Sequence, residues 1–246
     1  MDKLAIIGGT GLTSLEGLEI VEKYQMETPY GLPSGPVLSG IIAGKSILFL
    51  SRHGEQHTIP PHKINYRANI WALRELGAKQ VVAVAAVGGI GNDMVPGILV
   101  LPDQIIDYSY GREQSFFSDA FTADRHIDFS FPYDERLRQQ LKKAAAQITI
   151  SIIDGGTYGA TQGPRLETAA EIKRMAQDGC SIVGMTGMPE ACLARELELH
   201  YASCAVIANW AAGLSDELIT MAEIEKNLLS GMEQVKKLLS QLISMT

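Results

Sequence analysis

Two apolar runs that stop at paired glycines constrain the fold of this chain more than any other feature. Leu4–Ile7 ends at Gly8-Gly9, and Gln80–Val87, a run rich in valine and alanine, ends at Gly88-Gly89. Short apolar runs punctuated by glycine read as buried strands, and the second as a central one. Val37–Ala43 and Lys45–Ser51 flank Gly44 as a hairpin, and further short strands are expected at Ile98–Leu101, Gln104–Tyr108, Thr149–Ile153, Ser181–Val183 and Tyr201–Ala208. Helical patterns lie between them: Pro61–Leu76 with Pro61 near the first turn, Asp134–Ala146, Thr168–Gln177, Pro189–Leu197 and Thr220–Met245. The last places Ile224, Leu228, Met232, Val235, Leu239 and Leu242 on one face. Alternating strands and helices predict an α/β sandwich with a largely parallel core. No repeat, linker or low-complexity segment divides it, so residues 1–246 read as one domain.

Composition narrows the function classes. Hydrophobic residues make up 46% and charged residues 20% of 246, as in ordinary globular enzymes. A formal charge of −7 argues against nucleic acid as a partner, because phosphate neutralisation needs clustered Lys and Arg. An anionic substrate must therefore be held by a local site. Cys180, Cys192 and Cys204 form no C-x-x-C pair and read as buried thiols in a reducing compartment. Met1-Asp-Lys-Leu-Ala-Ile-Ile passes directly into the first strand, so no signal peptide is expected there. No apolar run approaches the ~20 residues of a membrane span. A cytoplasmic protein with no membrane partner is expected.

In folds of this kind, ligands sit beyond the carboxyl ends of the strands. Gly8-Gly-Thr-Gly11, Ser51-Arg-His-Gly54, Ala85-Ala-Val-Gly-Gly89, Gly184-Met-Thr-Gly187 and Asn209-Trp210 all fall at such ends. The first is not a dinucleotide fingerprint, since Ser14 stands where the third glycine belongs, and no lysine follows for a phosphate loop of the Walker type. Either a plain tight turn or an oxyanion cradle of backbone N–H groups and the Thr10 hydroxyl remains. Arg52-His53 is either surface charge or a fork of donors suited to phosphate. His53, His57 and His62 match no zinc spacing and lack an acidic partner, so no metal is expected. There is no G-x-S-x-G, and the cysteines lie in apolar helix or strand contexts or beside glycine. A reaction run by positioning and electrostatics suits a chain without a nucleophile, and glycosyl transfer to phosphate is one.

Thr161-Gln-Gly-Pro-Arg-Leu-Glu167-Thr168 places a carboxylate just after a Gly-Pro turn. Glu167 is either a solvated residue in the first turn of a helix or a pocket acceptor. An ionised carboxylate only accepts hydrogen bonds, so in a purine pocket it would favour a ring bearing N1–H, hypoxanthine or guanine, over adenine.

Taken together, Ile6-Ile-Gly-Gly-Thr-Gly-Leu12, Ser51-Arg-His-Gly54, Asn65-Tyr-Arg-Ala-Asn-Ile-Trp-Ala72, Thr161-Gln-Gly-Pro-Arg165 and Met185-Thr-Gly-Met-Pro-Glu190 resemble the methylthioadenosine phosphorylase branch of the trimeric purine nucleoside phosphorylases. The likeness runs in order over nearly the whole chain. It implies a three-layer α/β/α phosphorylase-type fold around a central mixed, largely parallel sheet. It also implies phosphorolysis of a nucleoside, with inorganic phosphate as co-substrate and no metal or organic cofactor. By the resemblance, Thr10, Arg52, His53, the backbone at Ala86 and Thr186 hold phosphate, and Met185 lies against the ribose. His126 reaches the neighbouring subunit's site, which implies a homotrimer.

The departures from that branch are informative. Its members carry aspartates in the segment matching Ala208-Asn-Trp-Ala-Ala-Gly213, where this chain has Asn209 and Ala211; after Gly-Pro-Arg they carry an aromatic and a small residue, where it has Leu166 and Glu167. A Glu and an Asn at these two places resemble the base-reading pair of inosine/guanosine phosphorylases. Glu167 can accept N1–H, while the Asn209 amide can donate to O6 and accept from N7–H of the departing base. Adenine mismatches both, at a cost on the order of 10⁴-fold. At the sugar end, Met221 stands where those enzymes usually place a histidine; it is either helix core or an apolar contact for a 5′-methylthio group. The combination implies cleavage of S-methyl-5′-thioinosine to hypoxanthine and 5-methylthioribose-1-phosphate. A general 6-oxopurine nucleoside phosphorylase and a methylthioadenosine phosphorylase with an atypical base site are the alternatives.

Overall fold

In the computed structural model, the structure describes residues 3–12, 15, 17–215 and 220–245, with the Met221 side chain outside the described set. The two glycine-ended runs are strands β1 (Lys3–Gly8) and β5 (Ala78–Gly89). They are neighbours, paired in parallel from Lys3↔Ala78 to Ile7↔Ala83. β2 (Glu19–Tyr24), β3 (Val37–Ile42) and β4 (Lys45–Ser51) form an antiparallel edge, and β4 joins β1 in parallel. On the far side lie β6 (Leu99–Leu101), β7 (Gln104–Asp107), β8 (Ile152–Asp154), β9 (Thr157–Ala160), β10 (Cys180–Gly184) and β11 (His200–Trp210). The sheet is mixed and largely parallel, as expected, with β11 running parallel to β5 along its whole length.

Side-chain alternation along the central strands divides the core into two layers. Ala5, Ile7, Val81, Ala83, Tyr201 and Ile207 face α1 (Tyr66–Glu75) and α4 (Gly187–Glu196). Leu4, Ile6, Val82, Val84, Cys204 and Val206 face α2 (Glu135–Gln147) and α5 (Met221–Met245). α3 (Ala169–Gln177) closes a smaller cluster beside β10 through Ile172 and Met175. The α5 stripe packs as its periodicity predicts, with Leu228, Met232, Val235, Leu239 and Leu242 buried. Gly231 lets that helix close on the sheet, since a Cβ there would lie 2.3 Å from Val206 Cγ1.

Several boundaries differ from the sequence reading, each for a local reason. Pro61–Lys63 is a separate 3-10 turn, and α1 starts at Tyr66 because the Asn65 side chain caps it, accepting from the Ala68 N–H at 3.1 Å. β2 is an edge strand exposed on both faces, so it lacks the alternation that would reveal it. β9 was also unforeseen: it is four residues long, contains Gly159 and follows Gly155-Gly156. The expected strand Thr149–Ile153 is shifted to Ile152–Asp154, with Thr149 at positive φ (58°) just after α2. No helix among the described residues is long and apolar enough to cross a membrane.

Candidate active site

A divergence of strands opens the site. Ala83 is the last β5 residue paired with β1, and Gly88 the first paired with β10. Between them, from Val84 to Val87, one edge of β5 has no strand neighbour among the described residues. The carboxyl ends of β1, β4, β5, β10 and β11 surround this gap, where an α/β sheet offers its loops to a ligand. The resulting cavity has a volume of about 410 Å³. It brings together Thr10, Arg52, His53, Ala86 and Thr186 at one end. Met185, Leu166, Glu167 and Asn209 line the same cavity. His126 is apart from it, exposed and set edge-on to Phe121, with ring centroids 4.9 Å apart. The Met221 side chain lies outside the described residues, though Ile224, one turn along α5, reaches the cavity wall.

Arg52 is 1% exposed and holds a fixed geometry. Its Nε and Nη2 each donate to the Glu190 carboxylate at 2.7 Å, and Nη1 donates to Val84 O at 2.8 Å on the free edge of β5. Much of the fork expected for phosphate is thus spent on Glu190, leaving two of the five guanidinium N–H groups for a ligand. Burial alone would lower the Arg52 pKa, but the adjacent Glu190 carboxylate raises it above its ordinary value. Tyr201 Oη donates to the same carboxylate at 2.9 Å, completing a buried triad. Gly9 makes room for it, because a Cβ there would meet Val84 O at 2.4 Å and Arg52 Nη1 at 2.8 Å.

His53 is buried, and its Nδ1 lies 2.8 Å from Ile59 O, so Nδ1 carries the hydrogen. Burial, with the Arg52 charge adding to it, lowers its pKa to about 4. The neutral ring therefore turns a lone pair outward at Nε2 and suits a phosphate that brings its own proton; a dianion would require the ring to take one up. His57 packs on His53 at 4.6 Å between centroids, and its Nε2 lies 3.4 Å from Thr10 Oγ1. It sits at φ 54°, an uncommon backbone region for a residue with a side chain. Thr186 is the N-cap of α4 and its side chain makes no capping bond. Among the described residues, no three His, Cys, Asp or Glu side chains are grouped as metal ligands. The cysteines are free and buried, and burial pushes Cys192 and Cys204 up to about 12, leaving no thiolate nucleophile near neutral pH.

The opposite end is shaped by two loops and a bulge. Glu167 precedes the N-cap of α3; the first-turn acid is Glu171, which forms a capping box with Thr168. Glu167 is half-buried and accepts from Thr161 Oγ1 at 2.6 Å, so it is not the solvated helix residue of the simpler reading. Asn209 follows an irregularity in β11, where the pairing passes from Ile207↔Val87 to Asn209↔Gly88 and skips Ala208. A bulge of this kind re-aims a side chain. Asn209 Nδ2 donates to Trp210 O at 2.7 Å, which leaves its second N–H and Oδ1 for a ligand.

Arg112 joins the two loops of this end. Among the described residues it has no carboxylate partner: Nη2 donates to Thr161 O at 3.0 Å and Gln162 O at 2.8 Å, while Nη1 donates to Met185 O at 2.9 Å and Met188 O at 2.5 Å. Sequence reading missed Arg112, Glu190 and Tyr201 as parts of the site. Only Glu190 left a trace there, as an acid within the otherwise apolar start of the helix after Pro189.

The chain belongs to the phosphorylase superfamily, whose family model matches residues 3–244. It is 54% identical over 99% of both chains to the probable S-methyl-5′-thioinosine phosphorylase of Pseudomonas syringae pv. tomato. It is 43% identical to the probable 6-oxopurine nucleoside phosphorylase of Dictyoglomus turgidum, over 98% of this chain and 90% of the relative. Among solved structures it is similar to methylthioadenosine phosphorylase from Schistosoma mansoni in complex with adenine, with a TM-score of 0.94 and 31% identity, covering 100% of this chain and 92% of that one.

Proposed function

We propose that the protein is a purine nucleoside phosphorylase, a pentosyltransferase, that cleaves S-methyl-5′-thioinosine with phosphate to hypoxanthine and 5-methylthioribose-1-phosphate. The observation that carries this reading is the meeting of Glu167 and Asn209 on the wall of the cavity that also holds Arg52, His53 and Thr186. Phosphate binds among Thr10, Arg52, His53, the Ala86 backbone and Thr186, and its negative charge stabilises the developing sugar cation. Met185 packs on the ribose and Leu166 on the base. Glu167 accepts N1–H, and Asn209 donates to O6 and accepts from N7–H as the base leaves. Both substrates are oriented before reaction, so no protein nucleophile or organic cofactor is required. Similarity to the Pseudomonas syringae relative supports the methylthio substrate. The Dictyoglomus turgidum relative supports the second reading, a general 6-oxopurine nucleoside phosphorylase.

We further propose that the protein works as a cytoplasmic homotrimer. His126 lies in an exposed stretch, 121–128, whose Phe121 is 54% exposed; a neighbouring subunit would cover it and bring His126 to its own site. The test is kcat/KM for S-methyl-5′-thioinosine, S-methyl-5′-thioadenosine, inosine and guanosine on one preparation. The expected order puts S-methyl-5′-thioinosine first. S-methyl-5′-thioadenosine in that place would overturn the roles of Glu167 and Asn209, and comparable rates on inosine would favour the second reading.

A further inference from the structure

Asn209 carries the proposed contacts to purine O6 and N7, and its direction depends on the bulge in β11. The register against β5 passes from Ile207↔Val87 to Asn209↔Gly88 and Trp210↔Gly89, leaving Ala208 unpaired. An unbroken register would set Ala208 beside Gly88 and Asn209 beside Gly89. Paired residues share a face and successive residues alternate, so that slip would turn Asn209 to the opposite face of the sheet. Gly88 lines the cavity with Asn209, whereas Gly89 does not. The bulge thus puts the Asn209 amide at the cavity, and it has to be held against the regular pairing.

Asn227 of α5 supplies that hold. Its Nδ2 donates to Ala208 O at 2.8 Å. This carbonyl belongs to the planar peptide unit that leads into Asn209, so fixing its oxygen restrains the direction in which the Asn209 side chain leaves the backbone. Ala208 is 3% exposed, and a buried carbonyl that loses its donor is costly. Asn227 is half-buried and does not line the cavity itself. Ile224, three residues before it on the same helix face, does. One face of α5 therefore forms part of the cavity wall and braces the bulge beside it.

We propose that Asn227 is a positioning residue for base recognition: its bond to Ala208 O keeps β11 in the bulged register, and so sets the preference for 6-oxopurine over 6-aminopurine nucleosides through Asn209. The inference rests on Asn209 reading the base.

The test is a double-mutant cycle of Asn227→Leu, which keeps the size and removes the donor, with Asn209→Ala, read on S-methyl-5′-thioinosine and S-methyl-5′-thioadenosine. Alone, Asn227→Leu is expected to lower kcat/KM for S-methyl-5′-thioinosine about tenfold, the scale of one hydrogen bond. The preference over S-methyl-5′-thioadenosine narrows with it, while KM for phosphate stays within about twofold. With Asn209 already alanine, the same change costs less than about twofold, because no amide is left to aim. Asn227→Asp, of the same shape and without the donor when ionised, gives the same readings if the leucine variant does not fold. A full loss in both backgrounds would overturn the inference, and so would a rise in phosphate KM that matches the loss on the nucleoside. Either would make Asn227 a general brace of α5. Failure of the underlying assignment shows separately, as an Asn209→Ala variant that keeps the wild-type kcat/KM and preference, and the inference falls with it.

Discussion

The two ends of the cavity are built differently. At the proposed phosphate end, Arg52 and Thr186 are 1% and 7% exposed, and the guanidinium is tied to Glu190, which also accepts from Tyr201, and to the free edge of β5. At the base end, Leu166 is 46% exposed, Glu167 sits in a loop ahead of α3, and Asn209 follows a bulge. Phosphate is the same for every nucleoside, so its site can be set deep in strand ends that share the core's packing. On the proposed reading the base, which differs between substrates, is met by Glu167 in a loop and by Asn209 past a bulge near the end of β11, positions that can change with little disturbance of the sheet. The S. mansoni structure, at 31% identity and a TM-score of 0.94, illustrates how much sequence can vary over this fold.

The contrast can be broken most strongly at Glu190. Glu190→Ala leaves the Arg52 charge buried without a counterion, and a loss of about 3–5 kcal/mol of stability is expected. Chemical denaturation measures it, and a loss under ~1 kcal/mol would mean that the phosphate end does not depend on this pair.

His53 tests the same end through pH. Its folded pKa, about 4, lies below the unfolded value near 6.5, so between these values the unfolded state binds more protons. Stability from this group is complete above pH 6.5 and is lost as pH falls toward 4, by up to about 3 kcal/mol. The difference between wild-type and His53→Asn denaturation curves across that window isolates it from the carboxylates. Parallel curves would contradict the buried neutral ring.

At the base end, smaller effects on stability and larger effects on choice are expected. Asn209→Asp should shift kcat/KM from 6-oxopurine toward 6-aminopurine nucleosides by about ten- to a hundredfold, on the order of 1.4–2.7 kcal/mol. The shift stays partial while Glu167 remains, and an unchanged ratio would remove Asn209 from the base site. The smallest effect belongs to the α3 cap. Thr168→Ala should cost about 1 kcal/mol in thermal denaturation and leave substrate preference unaltered. A changed preference would show that Glu167 and the capping box act as one unit.

Most of the architecture was legible because it follows from one-dimensional patterns. The glycine-ended runs became β1 and β5, and the α5 stripe became the buried face of a 25-residue helix. β2 and β9 escaped because an exposed edge strand and a four-residue strand with an internal glycine carry no such pattern. At the site, motif order placed Thr10, Arg52, His53 and Asn209 at strand ends, and Glu167 just after a Gly-Pro turn, before any contact was known. The partners of those residues were not legible. Glu190 is 138 positions from Arg52, and Arg112 is 49 and 73 positions from the two carbonyls it joins, Thr161 O and Met185 O.

The sequence by itself thus determined the family, the strand ends and the residue types at each end of the cavity, since local periodicity and motif spacing reside in the chain. Only the tertiary structure decided what those residues can do. It turned most of Arg52's fork toward Glu190 and left two N–H groups for a ligand. It oriented His53 through the Ile59 carbonyl, and it separated Glu167 from the helix start by giving Glu171 the cap and Glu167 the Thr161 hydroxyl. The physical reason is common to all three. Hydrogen-bond capacity is finite, and which partner uses it depends on groups brought together by folding from distant parts of the chain.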